Sequence, residues 1–183
     1  MNVIYTTGDG IAYGAANGVL LGFEFELDSV RFVTDRSQDD VNRWKELHDK
    51  GWEAMSAAER AEWTAGMKGA YKHTDLNRVE MAVESMIARL ATHGKKLPLV
   101  VKTDWVQTDR PLVSDMERYF GNVEALRVAT GVTIDAPPTP TTQMLFDYKK
   151  ANDLEEILQR VEFWLDRVAA CQNYSGDLYL GEV

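Results

Sequence analysis

The densest set of chemically capable residues lies in one short stretch, Gly69-Ala-Tyr-Lys-His-Thr-Asp-Leu-Asn-Arg-Val-Glu80. Asp75 and Arg78, three positions apart, can pair along one helix face, and Asn77 can bind a backbone or a partner. Such a cluster serves either a recognition surface or a helix start whose polar side chains fix the preceding Gly-Ala-Tyr turn. The second use is favoured, because caps and local pairs routinely recruit these residue types. A nucleophile is missing, and no second acid is placed to share a proton.

The remaining candidates fare no better. Cys171 is the single cysteine, so an internal disulfide is ruled out. A catalytic thiol needs a nearby base, and His48, His73 and His93 are all distant in sequence; a small buried or half-buried side chain is expected instead. Asp104 and Asp109 would bind a metal only with ligands from elsewhere, and are read as solvated or capping. Gly8-Asp-Gly10 has neither the Gly-Lys-Ser/Thr of a phosphate loop nor the acidic alternation of a calcium loop. Trp44, Trp105 and Trp164 could form a sugar platform if exposed, although rings at helical spacing more often serve a core. No catalytic residue, cofactor-binding residue or metal ligand is assigned.

These residues must be positioned by helices. Leu76, Val79, Val83, Met86, Ile87 and Leu90 recur at steps of three and four, one stripe on a 3.6-residue helix. Arg78, Glu80, Glu84 and Arg89 fall on its other faces. Thr74 and Asp75 occupy the place of an N-cap, and Gly94 that of the stop. Before it, Asp35 or Ser37 caps a helix running to about Lys50, with Val41, Trp44 and Leu47 as its stripe. Ser56-Ala-Ala-Glu59 is a capping box for a short helix at about 57–66. Trp52, Met55 and Trp63 flank the break and are expected to close the angle between the two helices; such an aromatic cluster can also serve as a sugar platform, and a core role is favoured.

Leu97-Pro-Leu-Val-Val101 then reads as an apolar link. Ser114-Asp-Met-Glu117 reads as a second capping box, opening a helix with Met116, Tyr119, Phe120, Val123 and Leu126 inward, stopped at Gly131. Pro137-Pro-Thr-Pro140 is a stiff spacer. The last long helix opens at Asp147 or Tyr148. Its stripe is Tyr148, Ala151, Leu154, Ile157, Leu158, Val161, Leu165 and Val168, with Glu155, Glu156, Arg160 and Arg167 outward and Asn173-Tyr-Ser-Gly176 as its end.

The first 34 residues differ in character. Phe23-Glu-Phe-Glu-Leu27 alternates with period two, as a half-buried strand does, and Asn17-Gly18 is a hairpin cue. Val30-Arg-Phe-Val33 reads as a further short strand. Leu178-Tyr-Leu180 is expected to close the same sheet. The architecture is therefore mainly α (α+β): a bundle of four to five helices with a small β element. One domain is expected over 1–183, divided into a β-rich element at 1–34, a helical bundle at 35–172 and a closing strand at 173–183.

Composition narrows the function. Apolar residues at 45% and charged residues at 27% supply enough material for a true core. A formal charge of −9 argues against binding to nucleic acid or anionic lipid through phosphates, which needs a basic surface. No run approaches the roughly 18 apolar residues of a membrane span, and no basic region followed by an apolar segment marks a secretory leader. A soluble product made in a cytoplasm is expected.

The segment Met67-Lys-Gly-Ala-Tyr-Lys-His-Thr-Asp-Leu-Asn-Arg-Val-Glu80 resembles a module of minor structural, tail-associated proteins of phages and prophages of Gram-positive bacteria. The similarity continues through Arg118-Tyr-Phe-Gly-Asn-Val-Glu-Ala-Leu-Arg127 and Ala151-Asn-Asp-Leu-Glu-Glu-Ile-Leu158. It ends with Tyr174-Ser-Gly-Asp-Leu-Tyr-Leu-Gly-Glu182 and so spans the chain from about Phe32. Members usually carry Asn where this chain has Lys72 or His73, and often Glu where it has Asp177.

The resemblance implies a non-enzymatic virion protein of the tail or baseplate that works by protein–protein assembly. It supplies no catalytic residues. Its expected partners are other virion proteins or itself as a homo-oligomer, with no nucleic acid and no membrane. A carbohydrate-binding module for the host surface is the alternative. A cell-wall hydrolase would require two acids set across a cleft, and plentiful acids alone do not indicate one.

Overall fold

The computed structural model describes residues 5–6, 12–13, 31–133 and 136–177, with the side chains of the last helix described as far as Cys171. The chain separates into two compact units, Met1–Val30 and Arg31–Val183. In the first, strands β1 (Tyr5–Thr6) and β2 (Ala12–Tyr13) pair antiparallel, Tyr5 opposite Tyr13 and Thr6 opposite Ala12. The expected strands at Phe23–Leu27 and Leu178–Leu180 lie outside the described residues.

The second unit is helical: α1 (Gln38–Lys50), α2 (Ala57–Ala65), α3 (His73–Thr92), α4 (Val113–Thr130) and α5 (Tyr148–Asp177). A single 3-10 turn, Trp52–Ala54, bends the chain between α1 and α2. Helices α3, α4 and α5 pack pairwise into a three-helix core. Its interior is the set of stripes expected from the periodicity: Val79, Val83, Met86 and Leu90 from α3, Tyr119, Phe120, Val123 and Leu126 from α4, and Leu154, Ile157, Leu158, Val161 and Leu165 from α5, all buried. Each such side chain contributes about 1.5–3 kcal/mol on leaving water, which is what holds the three helices together. The mainly helical expectation agrees with this unit.

Helices α1 and α2 form an antiparallel hairpin at its side. Arg43 reaches Glu62 (2.8 Å) and Lys50 reaches Glu59 (2.7 Å), while the Trp44 and Trp63 rings stack at 6.4 Å. Both helices begin with capping boxes, Ser37 with Asp40 and Ser56 with Glu59, as the local sequence dictates. Glu59 takes bonds from Lys50 and from both Ser56 groups, which hold its carboxyl down at about 2.

The starts of α3 and α4 depart from expectation, whereas α5 opens at Tyr148 with Asp147 taking the Lys150 amide (3.0 Å), as expected. α3 begins at His73 with Lys72 at the N-cap position, not Thr74 or Asp75; Asp75 sits at the third position and takes the Lys72 amide (2.8 Å). Lys72 has no oxygen to cap with, so this reach back does the work alone. α4 starts one residue before Ser114, and Asp115 takes the Leu112 amide (2.9 Å) in the same way. α5 does not stop at Asn173-Tyr-Ser-Gly176 but continues to Asp177. An interior glycine weakens a helix by only about 1 kcal/mol, too little to end it unaided.

Two further corrections concern the segment before α1 and the cysteine. Arg31–Val33 take no part in a strand; residues 31–37 are irregular and lie along the bundle. Cys171 is exposed, on the outer side of α5, where it packs against nothing that would bury it.

Candidate functional site

The central stretch turns inward. Asp75 Oδ1 accepts from Arg78 Nη2 (2.6 Å), the helix-face pair anticipated from their spacing, and also from Arg36 Nη2 (3.1 Å). Both guanidinium groups converge on Glu155 of α5, whose Oε1 accepts from Arg36 Nη2 (2.8 Å) and Arg78 Nη2 (2.7 Å). Its Oε2 accepts from Arg78 Nε (3.2 Å) and from the backbone amide of Val33 (2.7 Å). Glu155 is 0% exposed, and it was expected to face out. The reversal has a physical cause: two arginines satisfy both carboxylate oxygens, so burial leaves no lone pair unpaired. The four side chains bear two positive and two negative charges, and the cluster is neutral as a whole.

A second carboxylate is turned inward in the same manner. Glu80, expected on an outer face of α3, is 1% exposed and holds Arg118 of α4 in a fork, 2.6 Å to Nη2 and 3.0 Å to Nη1. Arg118 Nη1 also donates to the Val100 carbonyl (3.0 Å), as does Asn122 Nδ2 (2.8 Å), so α4 clamps the apolar link. Planar guanidinium with two parallel bonds fixes orientation as well as charge, and a lysine could not replace it.

Asn77 grips a backbone, one of the two uses its position suggested. Its Oδ1 accepts from the Trp105 amide (2.8 Å) and its Nδ2 donates to the Trp105 carbonyl (2.9 Å). This pincer seats Trp105, 3% exposed, against the bundle, with Lys102 Nζ 3.8 Å from the ring centre. Asn77→Ala removes both bonds at once and strands two part-buried backbone groups. A loss of about 1–3 kcal/mol is expected. Denaturant unfolding followed by circular dichroism reads it; an unchanged midpoint would show that water substitutes for the amide.

Beside the charge cluster, Tyr71 and Tyr119 meet hydroxyl to hydroxyl at 2.6 Å. Phe146 stands edge-on to Tyr71 at 5.0 Å, and the Arg36 guanidinium lies 5.3 Å from the Tyr71 ring centre. Burial raises the ionisation of both phenols above the ordinary value of 10.0, and the neighbouring carboxylates Glu155 and Asp75 push Tyr71 the same way. An acid whose folded pKa is raised contributes its stability in full below the unfolded value and loses it as pH climbs beyond. Stability should therefore hold to about pH 10 and fall above it. Tyrosinate absorbance is expected to show these two phenols appearing only with unfolding; early titration of all tyrosines together would contradict their burial.

The other nominated residues do not gather. Asp109 caps the Val106 amide (3.1 Å) and meets Lys102 (3.3 Å), while Asp104 is exposed. Trp44 and Trp164 are half-buried, so of the three rings nominated as a sugar platform none stands free; the exposed tryptophan is Trp52, with Arg60 over its ring at 5.3 Å. Among the described residues, no three His, Cys, Asp or Glu side chains are placed to share a metal ion, and no helix is long and apolar enough to cross a membrane.

A hollow of about 490 Å³ opens between α4 and the proline-rich spacer, lined by Glu117, Phe120, Gly121, Glu124, Arg127 and Pro138–Thr142. Thr139 bonds Glu124 at 2.5 Å and Glu124 meets Arg127 at 3.3 Å, which ties the spacer down.

What sequence reasoning missed is Arg36, Arg118, Glu155 and Asn152 as partners of the central stretch. Their one visible signal is a charged residue beside a buried stripe, which Glu155 shows next to Leu154. No family model, no curated protein and no solved structure matches the chain.

Proposed function

We propose that this chain is a non-enzymatic structural component, most simply of a phage or prophage tail or baseplate, that works by protein–protein assembly. One observation carries the reading. The stretch on which the resemblance rests commits its charged groups to the interior, Asp75 and Arg78 to Arg36 and Glu155, and Glu80 to Arg118. Groups held in buried ion pairs are not free to shuttle protons or polarise a substrate.

The outer surface is then left to interact. Val100 in the link, Val106 and Leu112 in the loop between the link and α4, and Val113 at the start of α4 are exposed, and Leu145 is 85% exposed ahead of α5. Apolar side chains concentrated on a short run of surface are what partner-facing regions offer. With a net charge of −9, the partner surface is protein and not a phosphate backbone.

Light scattering on size-separated protein over a wide concentration range tests the reading. Self-association, or co-elution with tail proteins expressed beside it, is expected, and Leu112→Asp with Val113→Asp should reduce it. A strict monomer that co-elutes with no tail protein, together with clearing of a cell-wall gel, would reverse the assignment in favour of a hydrolase.

A further inference from the structure

Along α4, Val113, Glu117, Gly121, Glu124 and Val128 recur at steps of three and four and share one face of the helix. All are exposed except Glu124, which is half-buried. The inward stripe of the same helix is a different set, Tyr119, Phe120, Val123 and Leu126. At about 1.5 Å per residue the outer face is roughly 22 Å long. The hollow beside the proline-rich spacer opens at its middle.

Gly121 keeps that hollow open. A methyl group there would meet nothing within 4 Å. Alanine would serve the helix better, so a glycine inside it is useful where another group must come close to the backbone. Among the described residues no such group does. The apolar walls are Phe120, Pro138 and Pro140. Glu117 has no hydrogen-bond or ion-pair partner among the described residues. Glu124 Oε2 takes the Thr139 hydroxyl, whereas Oε1 has only Arg127 Nη1 at 3.3 Å. The lining's base, Arg127, also donates from Nη2 to the Thr133 carbonyl at 3.3 Å. Its side chain is 16% exposed against 43% for Glu124, so the accessible charge of the hollow is acidic.

We propose that this face of α4 docks a partner protein that sets an arginine side chain into the hollow, its stem against Phe120, Pro138 and Pro140 and its guanidinium between Glu117 and Glu124. The proposal rests on the assembly reading above and names the chemistry of the partner. A planar head with five donors serves two carboxylates at once, where an ammonium is a single point of charge. The aliphatic stem suits an apolar wall. Val113 and Val128 carry the face past the hollow at both ends; a small free cation would leave them in water, and a protein surface covers them. A chain of net charge −9 also draws in a basic surface from a distance.

The test uses the full-length, isotope-labelled chain and an end-blocked pentapeptide with one arginine between alanines. Amide shifts should be confined to 117–128 and 138–142, and should weaken as salt is added. The same peptide with alanine or glutamate at its centre should give none. Gly121→Leu favours the helix and fills the hollow, so binding should fall roughly tenfold or more. Glu117→Gln should weaken it about two- to fivefold. Glu84→Gln makes the same charge change on the exposed face of α3 and should leave it unaltered.

Shifts scattered over the acidic surface, or equal losses from Glu117→Gln and Glu84→Gln, overturn the proposal in favour of general attraction. Ethylguanidine that binds as tightly as the peptide makes the hollow a small-cation pocket and overturns the protein partner. Should Gly121→Leu not fold, the contrast between Glu117→Gln and Glu84→Gln decides alone. Association with tail proteins untouched by a folded Gly121→Leu removes the docking face and leaves the assembly reading standing. A chain that takes the peptide in the hollow but associates with no protein leaves the arginine site standing and removes the assembly reading.

Discussion

Glu155→Ala is expected to destabilise the helical unit by about 3–5 kcal/mol, the cost of breaking a buried ion cluster from one side. The carboxylate is the meeting point of Arg36, Arg78 and the Val33 amide, and its removal leaves Arg78 Nε and a backbone donor without their acceptor. Asp75 still reaches both guanidinium groups, but one carboxylate then faces two buried positive charges. For a helical unit of this size the loss should lower the melting temperature by on the order of 10 °C. Glu155→Gln, which keeps the shape and one acceptor, should cost less. Thermal unfolding followed by circular dichroism measures both, and a loss below 1 kcal/mol for the alanine variant would mean that water already reaches the cluster.

The second large effect should come from Gly69→Ala. A methyl group at this position would stand 2.0 Å from the Asp40 carbonyl oxygen, 2.5 Å from its carbon and 2.9 Å from Val41 Cα. These are backbone atoms of the first turn of α1, not the flexible end of a side chain, so they can yield only if the helix moves. Overpacking typically costs about 1–3 kcal/mol, and a backbone clash belongs at or above the upper end. Hydrogen exchange should quicken along Gln38–Lys50 while α3, α4 and α5 keep their protection. An alanine variant with unaltered exchange in α1 would show that the approach relaxes without strain.

The difference between what was readable and what was hidden follows the range of the interaction. Ser37 with Asp40 and Ser56 with Glu59 lie three residues apart, so their capping boxes are visible in any short window. The stripes of α3 and α5 repeat within a few turns, and nearly every member is buried as the periodicity requires. Lys72 and Leu112 were unreadable as helix starts because neither has a capping oxygen; the acid that compensates lies three residues inside the helix.

Glu155 and Glu80 were misjudged for a different reason. A carboxylate at the margin of an apolar stripe is turned out or in according to whether an arginine meets it. Arg78 and Glu155 are 77 residues apart, and Arg118 and Glu80 are 38 apart. No local pattern encodes such a meeting. Of the site, the Asp75–Arg78 pair and the backbone grip of Asn77 were legible, and the partners that complete them were not.

The seat of Arg36 also decides how load would travel. A pull on the chain from its N-terminal side reaches the bundle at Val33 and Arg36, and passes there into α5 through Asn152 and Glu155 and into α3 through Asp75. The α1–α2 hairpin lies beyond that anchor and stays slack. Tension would be borne by the two helices with the deepest packing, and the least protected helices would be spared.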